Sequence, residues 1–373
     1  MGFPGKAAAI ALAILLCLPV VACHEQEPLR IGFFGGLTGR AAGLGTSGRD
    51  GFLLAIEQAN AGGGINGRRI EPVISDNRME QDTAAATLAQ LLGRKVVAVI
   101  GPMTSQIAVT VVPVADGARV PMISPTASTN QLSGLDDYFL RVYYSNAQAA
   151  ALLAQHLANR HQIPRMLAIY DLGNRAYTED WLRDFKVRYQ QSGGQLIEAI
   201  PFEVKGDSLF GGLAEQALAA KPDGILLLAN AVDSAMIAQQ LRKRGASTPL
   251  YATGWSYTDD LLQFGGNSVE GLTIIQSTNP ESPLPECQAF RRAYLERYRQ
   301  TPGFPALHAY DATRMLLAAL KTAESGEPLR QALLSLPTQQ GAQGQVAFDR
   351  FGDLRDPELH LAVIEHGAFR PVP

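Results

Sequence analysis

Two segments place hydroxyl groups where a ligand could meet them. Gly101-Pro102-Met103-Thr104-Ser105 follows the apolar run 96–100 and leads into a helical pattern over 106–118. Ser124-Pro125-Thr126-Ala127-Ser128-Thr129 follows the apolar run 120–123. Ser105 falls close to a helix N-cap, where unpaired N–H groups and the helix dipole favour an anion such as a carboxylate. Ser105 and Ser128 would serve equally well as simple helix caps, so the residues alone leave both readings open. A literal G-x-G-x-x-G runs from Gly43 to Gly48 ahead of a helical pattern. The strand before it ends near Phe34, too far away for the tight turn of a dinucleotide fingerprint. A flexible loop beside a binding cleft fits it better. No P-loop and no G-x-S-x-G elbow occurs. His24, His156, His161, His308, His360 and His366 show no H-x-x-x-H spacing, which argues against a histidine-based zinc site. Cys287 stands beside Pro285 and Glu286 at a helix start. Such a position can activate a thiol, but a packed bystander is the simpler reading.

These segments need a frame to hold them. Residues 29–34 read as a strand and 51–60 as a helix with apolar residues at helical spacing. Ala61-Gly62-Gly63-Gly64-Ile65-Asn66-Gly67 is a dense turn signal. The pattern then runs strand 69–75, helix 83–92, strand 96–100, helix 106–118 and strand 120–123. It restarts after Tyr144 as helix 147–159, strand 166–170, helix 179–191, strand 196–200, helix 213–220, strand 224–228, helix 234–244 and strand 250–253. Two such runs predict two α/β lobes, each with a parallel sheet covered on both faces. Their clefts belong at the carboxyl ends of the strands. The tail adds helices at 285–299 and 307–322 and short strands at 345–348 and 360–364.

The chain has 373 residues, 46% of them apolar and 18% charged, with a net charge of −3. That is a globular composition, and it gives no reason to expect a nucleic acid or a polybasic membrane surface. Three cysteines are too few for a disulfide framework. Lys6 followed by the apolar run 7–21 reads as a signal peptide over 1–22, too short for a transmembrane helix. The run ends Val20-Val21-Ala22-Cys23, which resembles the lipobox of bacterial lipoproteins. Cys23 would then be the lipidated first residue of the mature chain, with 23–28 as a linker. Leu16 before Cys17 is not small, so Cys17 is a poor competitor.

Taken together, Ile31-Gly32…Leu37-Thr38-Gly39, Asn60-Ala61-Gly62-Gly63…Ile65-Asn66-Gly67-Arg68, Ile100-Gly101-Pro102…Ser105, Pro121…Ile123-Ser124-Pro125, Asp171, Tyr177 and Tyr310-Asp311-Ala312 resemble one family. It is the periplasmic type I solute-binding proteins, and within them the branched-chain amino-acid (leucine/isoleucine/valine) binding proteins of ABC importers. The likeness spans about 29–369. It implies two doubly wound lobes joined by a three-segment hinge, with crossovers near 141–143, 272–276 and 344–347. Lobe one would be 29–142 plus 277–343, and lobe two 143–276 plus 344–373.

The same resemblance implies the site. Thr104 and Ser105 match a carboxylate-binding segment. Ala127 and Ser128, next to Thr126, match the segment holding the ligand's other polar group, and Tyr177 matches a tyrosine that closes over the ligand. Asn230 falls where many members carry an aromatic residue. Trp255 falls near the acid that meets an ammonium in amino-acid binders. A buried ammonium without a carboxylate is costly, so either Asp171 supplies the charge or the ligand is an aromatic or aliphatic acid or an amide. The expectation is a lipid-anchored periplasmic protein that takes a small amino acid or related carboxylate to an ABC permease. It would carry out no covalent chemistry, use no cofactor or metal, touch the membrane only through its anchor and bind no nucleic acid. The alternatives are a ligand sensor for a receptor or kinase and an extracellular hydrolase.

Overall fold

The computed structural model describes residues 27–39, 42–160, 163–204, 209–279, 282–323 and 325–372. The signal segment 1–22 and Cys23 lie outside the described residues. The first sheet comprises β1 (Leu29–Gly35), β2 (Ile70–Asp76), β3 (Ala98–Ile100), β4 (Met122–Ser124) and β5 (Phe139–Arg141), all parallel, in the order 2-1-3-4-5. Helices α1 (Ala42–Ala61), α2 (Gln81–Leu92) and α3 (Ser105–Ala118) connect its first four strands.

Lobe two repeats this plan. Helix α4 (Asn146–Arg160) leads to β6 (Arg165–Asp171), α5 (Arg175–Gln191), β7 (Gln195–Phe202), α6 (Leu209–Ala219) and β8 (Gly224–Leu228). Then come α7 (Ala231–Lys243), β9 (Leu250–Ala252), α8 (Asp259–Gly265) and β10 (Thr273–Gln276). The order β7-β6-β8-β9-β10 is again 2-1-3-4-5. Strand β8, Gly-Ile-Leu-Leu-Leu, is buried throughout, as a parallel strand covered on both faces must be. The tail supplies α9 (Pro285–Tyr298), α10 (Phe304–Ala319), α11 (Gly326–Leu334) and the hairpin β11 (Gln339–Gly341) and β12 (Gly344–Val346). It ends in β13 (His360–Glu365) and β14 (Ala368–Pro371), which extend the second sheet antiparallel.

Two expectations are corrected. Gly43 to Gly48 is no loop: it lies in the opening turns of α1. A Cβ on Gly45 would sit 1.9 Å from the Gly36 carbonyl oxygen, so glycine there lets the helix lie directly on the chain after β1. The crossover expected at 272–276 is largely strand β10, whose Ile274 and Ile275 are fully buried between β9 and β13. The chain leaves that sheet only after Gln276.

The chain passes between the sheets after β5, after β10 and after β12. The first and third passages are tied together. Buried Arg141 ion-pairs with Asp353 at 2.7 Å, and its backbone N–H donates to the Gly352 carbonyl. Arg141 also donates to the Thr129 carbonyl at 2.8 Å and to Ser133 Oγ. Among the described residues, no helix is long and apolar enough to cross a membrane.

Candidate functional site

Every residue expected at the site follows the carboxyl end of a strand, or ends one: Thr104 and Ser105 after β3, Thr126 to Ser128 after β4, Asp171 at the end of β6, Asn230 after β8 and Trp255 after β9. Tyr177 lies in the first turn of α5, which follows β6. The turn into α3 needs Gly101: its φ is +125°, and a Cβ there would lie 2.1 Å from the Phe34 carbonyl oxygen.

Thr104 occupies the N-cap of α3 without a side-chain capping bond, and Ser105 is the first helical residue. Ser105 instead ties two loops together. Its Oγ accepts from the backbone N–H groups of Ser128 at 3.1 Å and Thr129 at 3.2 Å. A serine hydroxyl has two acceptor sites and one donor, so the donor is all that remains for a ligand. Thr126 Oγ1 donates to the Met103 carbonyl, and Ser124 Oγ donates to the Pro102 carbonyl at 2.7 Å. Ser128 Oγ donates to Asn146 Oδ1 at 2.8 Å, and Asn146 Nδ2 donates to the Tyr177 carbonyl at 3.0 Å. This chain fixes the wall of one lobe to the wall of the other.

Two adjoining cavities lie between the walls. The inner one, about 20 Å³, is lined by Leu44, Met103, Thr104, Ser105, Thr126, Tyr143, Asn174, Tyr177, Trp255 and Phe304. None of these is charged. The outer one, about 300 Å³, is lined by Arg78, Thr104, Ile107, Asp171, Asn174, Glu203, Asn230, Asp233 and Trp255, among others. Thr104, Asn174 and Trp255 form the shared wall. Ala127 and Ser128 are fully buried behind Thr126 and line neither cavity.

Trp255 meets Tyr177 edge-on, with ring centroids 5.6 Å apart at 76°. Tyr177 Oη is buried without a hydrogen-bond partner, with the Thr253 side chain and the Trp255 backbone nearby. Burial pushes this phenol far above its ordinary pKa. Asn230 is committed as the N-cap of α7: Oδ1 accepts from the Asp233 N–H at 3.0 Å, and Nδ2 donates to Asp233 Oδ2 at 2.6 Å. Asp171 Oδ1 accepts from the Gly173 N–H at 2.7 Å. Burial, reinforced by the nearby Asp233 and Glu203 charges, raises its pKa to about 6 against the opposing Gly173 hydrogen bond. Cys287 is buried in α9, and burial raises its thiol pKa, the reverse of an activated nucleophile.

The inner wall also includes residues that sequence reasoning missed: Leu44, Met103, Tyr143, Asn174 and Phe304. Asn174 stands directly before α5, but the helical pattern in the sequence reads only from 179, so it went unmarked. Tyr143 reaches the site on the passage after β5 and Phe304 from the start of α10, far along the chain, and no local pattern marks either.

The sequence matches the periplasmic binding protein family over residues 28–354. The chain belongs to that family. This periplasmic binding protein is 26% identical to the Leu/Ile/Val-binding protein BraC3 of Rhizobium johnstonii, over 91% of this chain and 92% of that one. Its fold is that of the branched-chain amino acid transporter substrate-binding protein LivJ of Streptococcus pneumoniae, solved with isoleucine. The TM-score is 0.85 at 23% identity, covering 92% of this chain and 99% of that one. A solute-binding protein of an ABC transporter from R. palustris, solved with benzoate, matches with a TM-score of 0.84 at 19% identity, covering 92% and 95%.

Proposed function

We propose that this periplasmic binding protein traps a small carboxylate ligand that carries no α-ammonium, an aromatic or aliphatic acid, and delivers it to an ABC importer. In this reading Cys23 carries a lipid anchor, residues 29–142 with 277–343 form one jaw, and 143–276 with 344–373 form the other. The observation that carries the reading is the hydrogen-bond inventory of Ser105. Its hydroxyl is left only a donor, at the start of α3, in an inner cavity lined by no acid. A ligand acceptor with negative charge satisfies that donor. An ammonium in the same cavity would lose its hydration without gaining a counter-charge. Trp255 and Tyr177 offer ring edges and faces to a planar ligand.

A cavity of about 20 Å³ holds no more than about one water. Entry of an acid and its occupancy of this cavity therefore both require the jaws to stand wider apart than they do here, by movement at the three passages, and contacts to both jaws then favour the closed, ligand-filled state.

Two observations favour a second reading, an amino acid. Asp171 lies just across the shared wall and could meet an ammonium, and the relative from Rhizobium johnstonii is named for leucine, isoleucine and valine.

Thermal-shift titration with benzoate, leucine and isoleucine tests the proposal. A true ligand at 100 times its Kd adds about 2.7 kcal/mol of stability. Stabilisation by benzoate and not by leucine is expected; the reverse would establish the amino-acid reading. The anchor is tested separately by fractionation, since Cys23→Ala should release the protein from membranes or block its processing. Wild-type protein found wholly soluble with an unmodified Cys23 would exclude the anchor.

A further inference from the structure

Helices α3 and α5 begin on opposite walls of the cleft, and each finds its cap on the other wall. The Gln106 N–H, in the first turn of α3, donates to Asn174 Oδ1 at 2.9 Å. The Ala176 N–H, in the first turn of α5, donates to Gln106 Oε1, also at 2.9 Å. Neither helix receives a side-chain cap from its own N-cap residue, Thr104 or Asn174. First-turn N–H groups need an acceptor, and here the acceptors are present only while the cleft is closed.

The geometry has a second consequence. Asn174 is buried and lines both cavities. Its carbonyl oxygen is fixed by Gln106, so its planar amide has one orientation. Its Nδ2 donates to no protein atom among the described residues. Pinning one end of the amide leaves the other as a donor at the wall shared by the cavities.

We propose that Gln106 and Asn174 are positioning residues that set the closed state through this reciprocal pair of caps, and that closure orients the Asn174 amide to donate to the ligand's acceptor group. The amide-donor half rests on the carboxylate reading above. The latch half does not, because both of its bonds lie within the protein.

Two measurements separate the halves. A spin-label distance across the cleft reports the closed fraction of the ligand-free protein, and calorimetry with benzoate reports apparent affinity. Gln106→Ala should lower the closed fraction and weaken benzoate by about threefold to tenfold, the worth of one neutral hydrogen bond acting on a population of closed molecules. Asn174→Ala should lower the closed fraction likewise and, because it also loses the amide donor, weaken benzoate by more than about tenfold. Asn174→Asp keeps an acceptor for the Gln106 N–H but has no N–H to offer and adds charge beside the carboxylate. It should stay as closed as wild type while binding benzoate at least about tenfold more weakly. Wild-type closed fractions in both alanine variants would overturn the latch. Undiminished benzoate affinity in Asn174→Asp would overturn the donor role. If benzoate fails to bind wild type, the carboxylate reading and the donor role fall together, and the ligand-free distances still decide the latch.

Discussion

Replacing Ser105 with alanine separates a ligand contact from a structural one, because the structure gives the two roles different sizes. The Oγ accepts from two backbone N–H groups, and their residues, Ser128 and Thr129, are fully buried. An orphaned buried donor costs about 1–3 kcal/mol. Both bonds are at the long end of the normal range, so Ser105→Ala should remove about 2–4 kcal/mol in all. At typical unfolding entropies for a chain of this size, that lowers Tm by about 3–6 °C. A mere helix cap would be worth about 1 kcal/mol. The remaining O–H, donated to a charged carboxylate, is worth about 1.5–3 kcal/mol, so benzoate affinity should fall by about 10- to 150-fold. Thermal unfolding without ligand and titration calorimetry with benzoate give the two numbers independently. A lowered Tm with unchanged affinity would show that the hydroxyl donates to no ligand. An unchanged Tm would refute the inventory on which the proposed function stands.

Asp171 has its carboxyl pKa raised to about 6, so it is ionised above that pH and repels an anion across the shared wall. Benzoate should bind about threefold to tenfold more tightly as pH falls from 7.5 to 5, within the tenfold per pH unit that one proton allows. Asp171→Asn should flatten the profile, whereas a ligand whose ammonium pairs with Asp171 would show the opposite slope. Trp255→Ala should cost a planar acid more than the about 0.5–1.5 kcal/mol of a ring pair, because buried area is lost as well. Tight leucine binding that survives Trp255→Ala but not Asp171→Asn would sink the aromatic-acid reading. Asp353→Ala strands the buried Arg141 guanidinium and should cost about 3 kcal/mol, the low end for such a loss because Thr129 and Ser133 still accept from it. A denaturant melt shifted by less than about 1 kcal/mol would show that this ion pair does not hold the two passages together.

The sheets were legible because parallel strands buried on both faces leave apolar runs, as in 96–100 and 224–228, and because the site of such a fold lies at their carboxyl ends. What stayed illegible was contact between distant parts of the chain. Gly43 to Gly48 read as a loop because glycine is a poor helix former, yet the close approach of Gly45 to the Gly36 carbonyl, and of Gly51 to that of Ala306, is what the missing side chains permit. Ser105 read as an anion site or a cap; its acceptor sites go instead to N–H groups 23 and 24 residues away. Gln106 gave no signal at all, since its partners Asn174 and Ala176 lie 68 and 70 residues further on. Asp171 and Trp255 could be placed at strand ends, but not Asp171 on the outer side of a wall that Trp255 helps to form.

That wall bears directly on the choice of ligand. An α-amino acid carries its ammonium on the carbon next to its carboxylate. A carboxylate accepting from Ser105 would therefore hold the ammonium inside the inner cavity, among Leu44, Met103, Tyr143 and Phe304, where the compensating charge is absent. Asp171 belongs to the outer cavity, and Trp255 stands in the wall between them. For an amino acid to pair with Asp171, its carboxylate would have to leave Ser105 or the indole would have to move aside. Either change gives up contacts that a planar or aliphatic acid keeps. On the proposed reading, the difference in affinity between the two ligand classes should be governed by where Asp171 sits relative to the tryptophan, more than by how many acids the cleft contains.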